Sequence, residues 1–318
     1  MTLDIKKLVA ALKSKREEEG LSLRKLSAEI GVSFSTLARI ERGDGEPDNN
    51  SALRIIEWLG NDAEELGLGF DNVAMVHFRA AKNVSSKTIE CLLDAANHLK
   101  LRHNNQRGET KMHSTNGTAE SDTHQQALSL SKTEMEQMAE SLRSDLGIAP
   151  SEMLPALGIR IKGVEVLTTE ELTALSQKIV GHLTGRGANE WSAMSVPLEE
   201  DKSLWAVLRN THHTIERQRV TYLEECWHIL LGHKLTKVAK IAGAYGRTYE
   251  STEEHDAFYL ASATLLPEQE LISRVKTGET AQLIGEHFGT SPELVEYRVK
   301  RLGLWRIYKG LQVNFSSE

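Results

Sequence analysis

The stretch Thr221 to His233, T-Y-L-E-E-C-W-H-I-L-L-G-H, constrains this chain more than any other. Tyr222, Leu223, Cys226, Trp227, Ile229, Leu230 and Leu231 make an apolar run of helical length that meets no breaker before Gly232. Glu224, Glu225 and His228 are set into that run. Carboxylates in so apolar a segment are costly to bury unless they are paired, hydrogen-bonded or bound to a cation. At i and i+4, Glu224 and His228 share one face of a helix, about one turn apart. Glu225 lies ~100° further round and flanks the same pocket.

The arrangement is H-E-x-x-H with its first letter changed. There, two histidines hold zinc and the intervening glutamate acts as general base. In E-E-x-x-H a carboxylate, itself a legitimate zinc ligand, takes the first place. The harder donor moves the preference towards manganese or magnesium. Upstream stands N-T-H-H-T-I-E-R-Q-R (Asn210 to Arg219), and downstream E-E-H-D-A-F-Y-L-A-S-A-T-L-L-P (Glu253 to Pro267). Together these segments resemble the ImmA/IrrE metallo-endopeptidase-like family, in its Glu-Glu variant, over roughly residues 129–300.

That resemblance implies a zincin-like domain with Glu224 and His228 as metal ligands and Glu225 as catalytic base. It also implies a third, acidic ligand from a second helix. Counting back from Pro267 puts Asp256 at that place, with Glu254 and His255 near enough to compete and His233 ranked below Asp256. The implied cofactor is a divalent metal, zinc first and manganese second. His212 and His213 read as a surface pair rather than oxyanion donors. Arg217 and Arg219 read as salt-bridge partners of Glu224 and Glu225.

At the other end, residues 5–60 carry short helical periods. Ile5, Leu8, Val9 and Leu12 recur at helical spacing, and Ser22 caps a second segment with Leu23, Leu26 and Ile30. Gly31 makes a tight turn, and Ser33 opens a third segment with Leu37 and Ile40 inward. Helix, glycine turn, helix is a helix-turn-helix pattern. The run from Leu21 to Gly43 resembles the lambda-repressor/Cro-like, or XRE, family. One departure is Leu23, where that family commonly has a phosphate-contacting glutamine. The resemblance implies a DNA-reading helix with Ser33, Phe34, Ser35, Thr36 and Arg39 exposed at its start. Such groups can meet bases or phosphates.

Charge does not advertise nucleic acid. The chain carries a net −7, and residues 1–60 hold ten basic and ten acidic side chains. Affinity for duplex DNA would need a clustered basic face, a dimer, or both. A homodimer follows from half-site logic. No apolar run is long enough to span a bilayer, so no membrane association is expected. The two cysteines, Cys91 and Cys226, lack metal spacing and fit reduced thiols in a cytoplasmic protein.

The expected architecture is mainly α with a small β-sheet (α+β). It comprises a helix-turn-helix domain over 1–70, a helical extension over 71–100 and a flexible polar linker over 101–127. A metallopeptidase-like domain follows over 128–270, then a helical tail over 271–318. Within them, Val76 to Lys82 reads as extended, I-R-I (Ile159 to Ile161) as a strand and 164–184 as a helix. Trp191–Leu198 and Leu204–Asn210 read as an antiparallel pair. Residues 281–302 read as a second helix-turn-helix-like pattern, serving as packing. Two functions stand open. One is a DNA-binding transcriptional regulator whose peptidase-like domain cleaves a repressor or partner protein. The other is a non-catalytic transcription factor whose metallo-domain is a sensor or interaction module.

Overall fold

The computed structural model describes residues 4–60, 62–63, 66, 71–80, 84–108, 130–172, 175–233, 235–241, 244–247 and 251–311. It opens with four helices: α1 (Ile5–Glu18), α2 (Leu23–Ile30), α3 (Phe34–Arg42) and α4 (Asn49–Leu59). Each begins on a capping side chain, from Asp4, Ser22, Ser33 and Asp48, which satisfies otherwise orphaned backbone donors. Gly31 turns the chain between α2 and α3 at φ 65°, a left-handed conformation that suits glycine. Leu8, Leu12, Leu26, Leu37, Ile40 and Leu53 close the core of this bundle. The Arg16 guanidinium grips Glu41 through Nε at 2.6 Å and Nη2 at 2.8 Å, tying α1 to α3.

Beyond the bundle comes a six-stranded sheet in the order β2-β4-β3-β1-β5-β6. Its strands are β1 (Asp71–Ala80), β2 (Val164–Thr168), β3 (Trp191–Pro197), β4 (Trp205–Arg209), β5 (Thr236–Ile241) and β6 (Ala244–Arg247). The antiparallel pair expected near 191–210 is β3 with β4. The strand expected at 159–161 lies instead at β2, parallel to β4, after a turn at Gly163. Of the helix expected over 164–184, only Gln177–Thr184, α7, is helical in the α sense. The alternating Val164 and Val166 suit a pleated strand better than a helix.

Residues 71–108, expected as a helical extension running into a linker, begin with β1 and continue as α5 (Ser86–Gly108). Helix α5 reaches into the polar tract because Arg102 pairs with Glu165 and His103 meets Glu199 at 3.1 Å. Most of the expected linker, from 109 on, lies outside the described residues. Strand β3 is buried along its whole length. Its Trp191, Met194 and Val196 pack with Ile89, Leu92 and Ala96 of α5.

The remaining helices form the largest core. They are α6 (Lys132–Asp145), α8 (Ile215–Leu231), α9 (Ser251–Leu265), α10 (Glu268–Lys276), α11 (Ala281–Phe288), α12 (Pro292–Arg301) and α13 (Trp305–Tyr308). Tyr222, Leu223 and Trp227 of α8 pack with Leu260 of α9, Phe288 of α11 and Val295 of α12. The second helix-turn-helix-like pattern is therefore α11 and α12, with Ile284, Phe288 and Val295 fully buried as packing.

Candidate metal centre and DNA-reading face

Helix α8 starts at Thr214, whose hydroxyl accepts from the Arg217 N–H, and ends at Gly232, φ 64°. Thr221 to His228 are buried without interruption. Helix α9 lies alongside, and the two bring Glu224, His228 and Glu254 together. One ligand atom from each lies within 4.8 Å of the others. Glu224 and His228 are 1% and 3% exposed, so these polar groups sit where a cation is the natural compensation. His228 Nε2 stands 3.8 Å from Glu254 Oε1.

Asp256, expected as the third ligand, is not in this group. Two residues beyond Glu254 it lies ~200° round the helix, where it accepts a hydrogen bond from the Leu130 backbone N–H. The tract E-E-H-D contained both acids, but the rotational phase of α9 against α8 cannot be counted from a proline. His233, placed below Asp256 as a candidate ligand, lies beside His228. Its Nδ1 lies 2.9 Å from His228 Nδ1, and burial pushes it down to about 4. The two Nδ1 atoms share one hydrogen bond, and the other His228 nitrogen, Nε2, faces Glu254. Partners of this kind fix a metal-binding imidazole in one tautomer.

Glu225, expected as the base, is 2% exposed. Its Oε2 accepts from Ser195 Oγ of β3 at 2.6 Å. The two arginines do not take the expected partners in their hydrogen bonds. Arg217 Nη2 donates to Ser192 Oγ at 2.8 Å, and Arg219 Nη1 to the Gly289 carbonyl at 2.7 Å. Burial pushes the Cys226 thiol up to about 12, so it is an inert core group.

His213 is half-buried, its Nε2–H donating to the Trp191 carbonyl at 2.8 Å. Burial, more than Arg217 and His212, lowers it from 6.5. Below that value the unfolded chain takes up a proton that the folded chain resists. Stability from this group is thus present above pH 6.5 and lost as pH falls through it. His213→Asn is expected to flatten the fall of the urea midpoint between about pH 7 and about pH 5. An unchanged pH dependence would assign the fall elsewhere.

At the N-terminal bundle, Ser33 caps α3 and its hydroxyl meets those of Ser35 at 3.0 Å and Thr36 at 2.8 Å. Phe34 is 46% exposed, and the Arg24 guanidinium lies over its ring. Arg39 is exposed and reaches the Glu46 carbonyl at 3.4 Å. Arg24 and Lys25, exposed on α2 beside this face, were not singled out from sequence. Leu23, in place of the usual glutamine, packs against the bundle core.

Residues 12–66 match the family model described as helix-turn-helix, and residues 196–300 match the one described as IrrE N-terminal-like domain. The chain joins a helix-turn-helix domain to an IrrE N-terminal-like domain. The IrrE-like match takes in the whole of α8 and α9 and ends within α12. Strands β1 and β2 and helix α5 lie outside both matches. No curated protein and no solved structure gives a significant match to the chain. No helix among the described residues is long and apolar enough to cross a membrane.

Proposed function

We propose that this chain is a sequence-specific transcriptional regulator whose IrrE-like domain is a metal-dependent peptidase acting on a repressor or partner protein. The observation that carries the reading is the convergence of Glu224, His228 and Glu254 from two helices, with Glu225 adjacent. Two carboxylates and one imidazole fit zinc, and manganese also accepts them. A divalent ion there supplies a Lewis acid and lowers the pKa of water.

The protein's part is positional. Glu224, His228 and Glu254 hold the ion, and His233 keeps the His228 imidazole in one tautomer. Glu225 takes a proton from the attacking water and returns it to the leaving amine nitrogen. Ser195 orients that carboxylate. At the other end, Ser33, Phe34, Ser35, Thr36 and Arg39 face the major groove of an operator, with Arg24 and Lys25 towards phosphate. A cytoplasmic homodimer reading two half-sites suits such a helix-turn-helix.

Natively purified protein is expected to carry about one divalent ion per chain. It is also expected to shift duplex DNA from upstream of its own gene. Arg39→Ala should abolish that shift without changing metal content. Absence of any divalent ion would sink the peptidase reading. A bound ion with no hydrolysis of any protein would leave the sensor reading in its place.

A further inference from the structure

Strand β3 is the sheet strand nearest the candidate base, since its Ser195 holds Glu225. One edge of β3 is paired with β4. The other edge is where an extended peptide would add as a strand, a recurring mode of peptide recognition. That edge is taken by the chain itself. His77, Phe78, Arg79 and Ala80 of β1 stand opposite Ser195, Met194, Ala193 and Trp191, antiparallel. Helix α8, which carries the candidate site, lies against β1 as well as β3.

Strand β1 follows the helix-turn-helix match in sequence and, like the β3 residues it pairs with, precedes the IrrE-like match. Its hold on β3 is short and interrupted, with a register shift between Arg79 and Ala80. Its pairing with β5 is also irregular, between Asn72 and Ala74. Bulges of this kind break ladder hydrogen bonds and are frequent where pairing ends. A peptide forming an unbroken ladder would compete with such a strand for the same donors and acceptors.

We propose that β1 is an internal occupant of the substrate-peptide edge, so that an extended segment of a partner protein reaches the site only by displacing it. The inference rests on the peptidase reading for its purpose, and its test separates the two. The probe is a fluorescein-labelled synthetic copy of Asp71–Ala80, with fluorescein-casein as a general protein substrate. In Arg79→Cys/Ala193→Cys the two cysteines occupy directly opposed positions of the ladder register. Oxidation locks β1 in place, and reduction releases it.

The reduced cross-linkable chain is expected to bind the labelled copy, and the oxidised chain not to bind it. Phe78→Pro and Arg79→Pro give a second route. Successive residues point their N–H groups to opposite sides of a strand, so one of the two removes a bond to β3. That variant should bind the copy at least ~10-fold tighter than the parent, because the competent fraction rises. Equal binding by oxidised and reduced chains overturns the proposal, whether or not the proline variants fold. Redox-gated binding without casein hydrolysis keeps the β1 assignment and removes the peptidase reading. Casein hydrolysis at equal rates in oxidised and reduced chains does the opposite.

Discussion

Glu225→Gln is expected to lower protein hydrolysis by ~10²–10⁴-fold, the usual worth of a positioned general base, while metal content and DNA binding stay as in the parent. The expectation rests on what the substitution preserves. Glutamine has the same shape, and its carbonyl oxygen can still accept from Ser195 Oγ, now 2.6 Å from the carboxylate. Glu225 is 2% exposed, and the substitution removes its ionisable group while keeping an acceptor for Ser195. Glu225 is also outside the group that converges around a prospective ion, so stoichiometry should not move. Side-by-side casein hydrolysis and elemental analysis on parent and variant settle it. A variant as active as the parent would remove Glu225 from the chemistry.

Arg298→Ala should cost up to about 3–5 kcal/mol of stability, the penalty for breaking a buried ion pair, since Arg298 is fully buried and Glu136 largely so. Arg298 is fully buried on α12. It donates from Nη1 and Nη2 to Glu136 at 2.7 and 2.9 Å, and to the Leu266 carbonyl at the end of α9. Its guanidinium lies over the Tyr259 ring, and the Tyr259 hydroxyl donates to the same Glu136. One side chain thus joins α6, α9 and α12 beneath the helix that presents Glu254. The double variant Arg298→Met/Glu136→Leu should recover much of the loss, because it removes both charges together. Urea titration of parent, single and double variants measures both effects. A small loss in the single variant would mean that water reaches Glu136 once the arginine is gone.

How much of this was legible before the fold was known depended on whether the signal was local. The α3 start and the α8 faces were readable, because caps, glycine turns and i, i+4 spacing are properties of a single helix. The pairing of β1 with β3 was not. It brings His77 opposite Ser195 across more than a hundred residues, and nothing in either segment names its partner. Strand β2 was hidden for a related reason. Parallel to β4, it falls within the stretch 164–184 that reads from sequence as a helix. At the candidate metal centre, the grouping of Glu254 rather than Asp256 with Glu224 and His228 follows from the rotation of α9, set by packing of Tyr259 and Leu260 rather than by any motif. His233 makes its contact with the His228 imidazole, a pairing that helix spacing alone does not give.

Helix α4 is buried almost all the way round. Ser51, Ala52, Leu53, Ile55, Ile56 and Leu59 are all shielded, and besides closing its own bundle it packs against β6. The two halves are consequently not detachable cassettes. Replacing the helix-turn-helix bundle with another would require rebuilding that helix's outer surface, or the strands behind it would face water.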